Sequence, residues 1–230
     1  MKRSEINLIM RRADAFMREH GYHLPPFAYF GVEDWGKMGQ EASEIATNSL
    51  GWDITDFGSG RFDETGLFLF TVRNGDPANW STKTGKLYCE KIMIVEVGQV
   101  TPMHFHWNKM EDIINRGGGD LLIQLYHSNS DEGLDYERAI EVSMDGVKRT
   151  LASGSVVRMK PGESIALPPY LYHTFWGDKS TVLVGEVSLV NDDRSDNRFL
   201  EPVGRFPEID EDESPIYLLV GDYPKYYAAL

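Results

Sequence analysis

Two of the chain's six histidines, His104 and His106, stand two residues apart. On an extended strand, side chains alternate between faces, so this spacing turns both imidazoles to one side. A carboxylate, Glu111, follows after a short connection, near enough to swing back toward the same point. A third imidazole, His173, comes from a remote segment, after Pro168-Pro169 and between Tyr172 and Phe175. Three imidazoles and one carboxylate form a mixed nitrogen and oxygen donor set. It suits Mn, Fe, Co, Ni or Zn and is less natural for Ca or Mg. Such a set leaves one or two positions of a six-coordinate ion open to substrate oxygens. A lone His-x-His is weak, since a strand histidine is ordinarily a satisfied core or surface residue. The added Glu111, the flanking glycines and the histidine after a proline turn carry the reading. His20, His23 and His127 lack such surroundings and read as ordinary.

Something must hold these residues together. Residues 4 to 20 predict an amphipathic helix capped by Ser4 and ended by Gly21, with Ile6, Ile9, Met10, Ala13, Phe16 and Met17 at helical spacing. Leu24-Pro25-Pro26-Phe27 breaks it. A second short helix is expected from Glu41 to Leu50, ended by Gly51. Short runs rich in Val, Ile, Leu and aromatics then follow, separated by Gly, Pro, Asp and Asn. They span 67–72, 86–97, 121–127, 139–142, 155–159, 164–167, 172–176 and 181–190. Many short strands point to a sandwich or barrel. The expected organisation is a single domain over 1–230, mainly β. A helical or irregular extension would cover 1–60, the barrel about 61–190, and a C-terminal segment 191–230 packed on it.

With 36 acidic and 23 basic residues, the formal charge is -13. No basic cluster is present, which argues against nucleic acid and anionic membranes as partners. The single cysteine, Cys89, excludes an internal disulfide and a Cys-rich zinc site. No run approaches a membrane span, so a cytoplasmic protein is expected. The acidic run from Glu208 to Glu213 reads as a solvated surface.

The motif residues resemble those of the cupins. Gly98, His104, His106, Glu111 and Gly118 match the first cupin motif position for position. Gly162, Pro168 and His173 match the second, with Tyr170 in place of the usual Gly and Gly177 in place of the usual Asn; these departures bear on the turn. The resemblance implies a jelly-roll (double-stranded β-helix) barrel. Beyond the motifs, the segment from His104 to Gly119, the strand Glu90-Lys91-Ile92-Met93-Ile94-Val95 and the stretch Asn191 to Phe199 are similar to the cupin D-lyxose isomerases. That family interconverts D-lyxose and D-xylulose, often also D-mannose and D-fructose. It prefers manganese, sometimes cobalt, and is commonly a homodimer.

Aldose–ketose isomerisation needs a cation to polarise two sugar oxygens and a base to carry a proton between C1 and C2. The four ligands would supply the first. For the second, Lys109 lies between His106 and Glu111, and a neighbouring ion is expected to lower its pKa. Glu186 interrupts an apolar strand, where a carboxylate needs a partner or a function. Lys91 sits in another apolar strand and faces either the lumen or solvent. Glu111 is first a ligand and only secondarily a base. Lys91, Lys109, Trp176 and Glu208 are the candidate sugar contacts, whereas Phe105 and Trp107 alternate with the histidines and belong to the outer face. Other readings share the same ligands: a cupin dioxygenase or oxidase, a non-catalytic sugar-binding cupin, and a storage-type cupin with a structural metal.

Overall fold

The computed structural model describes residues 1–204 and 207–229. The apolar stripe near the N-terminus forms α1 (Arg3–Glu19). Ser4 lies inside its first turn and does not cap it. Lys2 holds the cap position, and its N–H donates to Glu5 Oε2 at 2.9 Å. The Ser4 N–H donates to Asp212 Oδ1 at 2.9 Å, a partner that local sequence does not reveal. Gly21 ends the helix at φ 71°, where a left-handed residue lets the Tyr22 N–H return to the Met17 carbonyl. The second helix is shorter than expected. A 3-10 turn, Gln40–Ala42, leads into Ser43–Thr47, and the chain reverses at Ser49 with φ 54° rather than at Gly51.

Gly51 instead opens the first strand. The strands are β1 (Gly51–Thr55), β2 (Leu67–Arg73), β3 (Tyr88–Val95), β4 (His104–Phe105), β5 (Glu111–Gly117), β6 (Asp120–Ser128), β7 (Leu134–Asp135), β8 (Ile140–Met144), β9 (Val147–Leu151), β10 (Val156–Met159), β11 (Ser164–Leu167), β12 (Leu171–Asp178), β13 (Val182–Leu189) and β14 (Arg198–Phe199). They form an eight-stranded sheet, β1-β2-β3-β13-β5-β11-β8-β9, and a six-stranded sheet containing β10-β6-β12-β4-β14, with β7 on β6. All these pairings are antiparallel. Pairing thus starts at Gly51, within the expected extension, and reaches Phe199, within the expected C-terminal segment. The reason is the pairing itself: β1 completes an edge against β2, and β14 lies beside β4.

The two sheets face each other over one apolar core. Met93, Ile113 and Val184 from the larger sheet meet Leu121, Ile123 and Phe175 from the smaller. Alternation along β5 is regular, with Glu111, Ile113, Asn115 and Gly117 buried and the residues between them less so. The outer face of β1, β2 and β3 is apolar as well, and α1 covers it. Ile6, Met10 and Met17 pack against Trp52, Phe68 and Ile92. Each such side chain contributes roughly 1.5–3 kcal/mol by leaving water.

The acidic run from Glu208 to Glu213 is solvent-exposed, as expected, and also serves as a docking strap. Glu211 and Asp222 bind the fully buried Arg3 at 2.8 and 2.9 Å, Asp212 takes the Ser4 amide and hydroxyl, and Glu213 accepts from Asn7 at 2.6 Å. Carboxylates belong at a helix N-terminus, where amide N–H groups lack partners and the helix dipole is positive. Among the described residues, no helix is long and apolar enough to cross a membrane.

Candidate active site

Strand pairing brings the remote imidazoles together. β4 and β12 run antiparallel with His104 and His173 as direct partners. His106 lies just past β4. Glu111 opens β5 in the other sheet, opposite Leu167 of β11 and Ser188 of β13. The site therefore bridges both sheets, and all four side chains are buried.

Each imidazole is fixed by its Nδ1. The partners are the main-chain carbonyls of Pro102 at 2.8 Å for His104, Asp196 at 2.7 Å for His106, and Leu171 at 3.0 Å for His173. A carbonyl only accepts, so Nδ1 carries the proton and Nε2 keeps its lone pair. One nitrogen from each ring lies within 4.8 Å of those of the other two. Glu111 Oε1 joins them, 3.4 Å from His106 Nε2 and 3.1 Å from His173 Nε2. The second contact lacks hydrogen-bond geometry: among the described residues, the buried His173 Nε2 has no hydrogen-bond partner. A buried polar atom left so is costly, and convergent lone pairs around it fit a divalent cation. Burial, aided by His173 and His106, holds the His104 imidazole well below its ordinary range, so it stays neutral and able to ligate. Burial alone would raise Glu111, but Lys109 and His106 pull it well below the usual carboxylate range.

Beside the histidines runs a buried line of charges. Lys91 of β3 and Glu186 of β13 are cross-strand partners. Lys109 Nζ lies 2.7 Å from Glu111 Oε2 and 2.9 Å from Glu186 Oε1, and Lys91 Nζ lies 3.5 Å from the same Glu186 oxygen. The Ser188 hydroxyl also donates to Glu186 Oε1, at 3.2 Å. Around Lys109 the protein's own groups oppose the lowering expected of a neighbouring ion. Burial does lower Lys109, but the carboxylates of Glu111 and Glu186 more than reverse that and hold it as an ammonium. Lys91 is raised likewise, with Asp193 and Glu186 outweighing burial.

Ligands and charges line one cavity of about 260 Å³. Lys91, Lys109, Glu111 and Glu186 all face it, together with apolar walls that include Met93, Phe175 and Phe199. Two other expected contacts do not. Trp176 follows His173 by three residues, so strand alternation turns it to the opposite face, while Phe175 points inward. Glu208 is exposed in the strap, where its carbonyl accepts from the N-terminal amine at 2.7 Å. Phe105 and Tyr172 pack outside the site, edge to face at 4.8 Å.

The chain between β13 and β14 holds residues that sequence reasoning passed over. Asn191 Oδ1 accepts from Lys91 at 2.8 Å and from Lys109 at 3.3 Å. Asp193, Arg194 and Asn197 line the cavity, as do Asp53 and Thr55 of β1. The available signal was the polar run Asn191-Asp192-Asp193-Arg194-Ser195-Asp196-Asn197 directly after a buried strand. The departure at Tyr170 also resolves. It takes a left-handed conformation, φ 62°, of the kind glycine adopts most readily, and donates its N–H to the His106 carbonyl at 2.9 Å. Gly177 lies next to a backbone carbonyl: a Cβ there would meet the Ser180 oxygen at 2.7 Å.

Known proteins share this sequence and shape. The family model for D-lyxose isomerase matches residues 1–223. The D-lyxose/D-mannose isomerase of Serratia proteamaculans is 48% identical, covering 99% of this chain and 100% of the relative. The protein of that name from Escherichia coli O157:H7 is also 48% identical, covering 98% and 100%. Among solved structures, Cellulomonas parahominis L-ribose isomerase with L-ribose superposes with a TM-score of 0.61 at 18% identity, over 91% of this chain and 98% of that one, a likeness of cupin fold. The chain belongs to the D-lyxose isomerase family and is a sugar isomerase of cupin fold.

Proposed function

We propose that this protein is a metal-dependent aldose–ketose isomerase that interconverts D-lyxose with D-xylulose and D-mannose with D-fructose. The observation that carries this is the meeting, in one cavity of about 260 Å³, of a three-histidine, one-carboxylate donor set with a buried Glu186 held by two ammonium groups. That volume lies just below the usual range for drug-sized ligands, about 300–1,000 Å³, and suits a single sugar unit. The relatives' names supply the two sugars.

His104, His106, Glu111 and His173 would hold the ion, with Mn2+ expected and Co2+, Fe2+, Ni2+ or Zn2+ chemically admissible. Bound there, it would polarise the sugar's O1 and O2 and stabilise negative charge developing on them. Glu186 moves the proton. Lys109, Lys91 and Ser188 all converge on its Oε1, leaving Oε2 as the oxygen without a partner among the described residues. Oε2 takes the proton from C2 of the aldose, giving an enediolate with its charge on O1; the hydroxyl proton of O2 passes to O1, and Oε2 returns the carbon-bound proton to C1, leaving the ketose carbonyl at C2. Lys109 then acts as an orienting cation rather than as a base. Lys91 and Asp193 share the cavity wall and offer an ammonium and a carboxylate to sugar hydroxyls. The expected assembly is a homodimer, as the family resemblance implies.

The test is direct. Protein stripped with a chelator, then supplied with Mn2+ or left bare, is incubated with D-lyxose or D-mannose, and ketose is measured by chromatography. Ketose should form only with the metal restored. Undiminished conversion by the bare protein would reject the metal, and no conversion of either sugar under any metal would reject the substrates.

A further inference from the structure

We infer that Asp196 is the positioning residue that builds the metal-ligand loop, acting through His106 and Lys109. The inference rests on the metal-centre reading above and adds a residue outside the donor set. Asp196 is buried, at 6% exposure, and belongs to no strand. Among the described residues, its carboxylate accepts only from donors of the loop between β4 and β5. Oδ1 accepts from the Asn108 N–H at 2.8 Å and from Asn108 Nδ2 at 3.0 Å, and Oδ2 accepts from the Lys109 N–H at 2.9 Å. Its own carbonyl accepts from His106 Nδ1 at 2.7 Å. One residue thus sets the tautomer and ring direction of a ligand and also the backbone from which Lys109 reaches Glu111 and Glu186. Outer partners of this kind orient ligands and tune their basicity.

The segment itself is braced. Asp192 accepts the Arg194 and Ser195 N–H groups, and the Asp196 N–H returns to the Asp192 carbonyl at 3.0 Å. β13, which carries Glu186, enters this turn, and β14, which lies beside His104, leaves it. Asp196 therefore couples the two halves of the site, the imidazoles on one sheet and the charge line on the other.

Asp196→Asn keeps an acceptor at Oδ1 and puts an NH2 against the Lys109 N–H, so it breaks one link without emptying the space. Mn2+ affinity would be measured by the fall of the free-ion electron paramagnetic resonance signal, beside kcat and KM at saturating Mn2+ and the melting temperature. Ser195→Ala, exposed in the same turn, is the control. The expected result for Asp196→Asn is a loss of roughly 10–100-fold in Mn2+ affinity, with kcat reduced at saturating metal, and wild-type values for Ser195→Ala. Wild-type affinity and kcat in Asp196→Asn would overturn the inference. So would equal losses in both variants, or a lower melting temperature with metal affinity unchanged, since each marks a merely structural role. A wild-type protein that binds no Mn2+ would instead overturn the metal-centre reading, and this inference with it.

Discussion

Replacing Glu186 by Gln separates the chemistry from the architecture. Glutamine has nearly the same shape, and its carbonyl oxygen can still accept from Lys109 and Ser188, while Lys91, 3.5 Å from that oxygen, keeps its hydrogen bond to Asn191. Lys109 also keeps its 2.7 Å contact with Glu111, so it does not become an unpaired buried cation. The four ligands are untouched. The fold and the metal content should therefore stay as in the wild type, and only the proton carrier is lost. General base catalysis contributes typically 10²–10⁴-fold, which is about 3–5 kcal/mol of barrier. We expect kcat to fall by that factor with KM changed only a few-fold, and exchange of the C2 hydrogen with deuterated solvent to fall in parallel. Metal analysis and steady-state kinetics on the same preparation read both. Turnover within about threefold of wild type at full metal occupancy would refute Glu186 as the base and leave Glu111 as the candidate.

Further perturbations test other parts of the structure. His106→Ala should lose bound metal and isomerase activity together, by more than the 10–100-fold typical of an outer partner; elemental analysis showing full metal occupancy with normal turnover would exclude it as a ligand. Arg3→Ala leaves the buried Asp222 carboxylate without its cation. Because the Glu211 arm is partly solvated, the expected loss is about 3 kcal/mol, the low end for breaking a buried pair. At this chain length that lowers the melting temperature by roughly 6–12 °C, read by circular dichroism. Tyr170→Gly should be nearly neutral, since relief of the left-handed strain offsets loss of the ring contact with Phe105. Tyr170→Val should cost about 1–2 kcal/mol, because a β-branched residue tolerates positive φ badly; equal melting temperatures for the two would show that the strain is absent.

How much of this was legible depended on the range of the interaction. The helix stripe from Ile6 to Met17 and the turn at Gly21 are local, because 3.6-residue spacing and a positive φ are written in neighbouring residues. The strand Glu111–Gly117 alternates regularly, yet its polar and charged residues read as a loop from the sequence, and its pairing with β11 and β13 makes it a strand. The edge strand Gly51–Thr55 was hidden for a related reason: only its partner, Leu67–Arg73, makes it a strand.

The site divides in the same way. Sequence alone determined the donor types and their spacing: His104 and His106 on one strand face, Glu111 close behind, and Lys109 between them. Such neighbours stay close whatever the rest of the chain does. It also marked Glu186 as a carboxylate in an apolar run, which burial makes conspicuous. Only tertiary structure decided that His173 lies directly across from His104, that Lys91 faces the cavity, and that Trp176 faces away. Those facts follow from strand register, where a shift of one residue turns every side chain to the other face. Only tertiary structure set Glu186, a residue far along the chain, against Lys109, where its carboxylate opposes the lowering expected of a neighbouring ion. It also brought Asp196 under the ligand loop, because a buried main-chain N–H takes whichever acceptor the fold brings within reach, at any distance along the sequence.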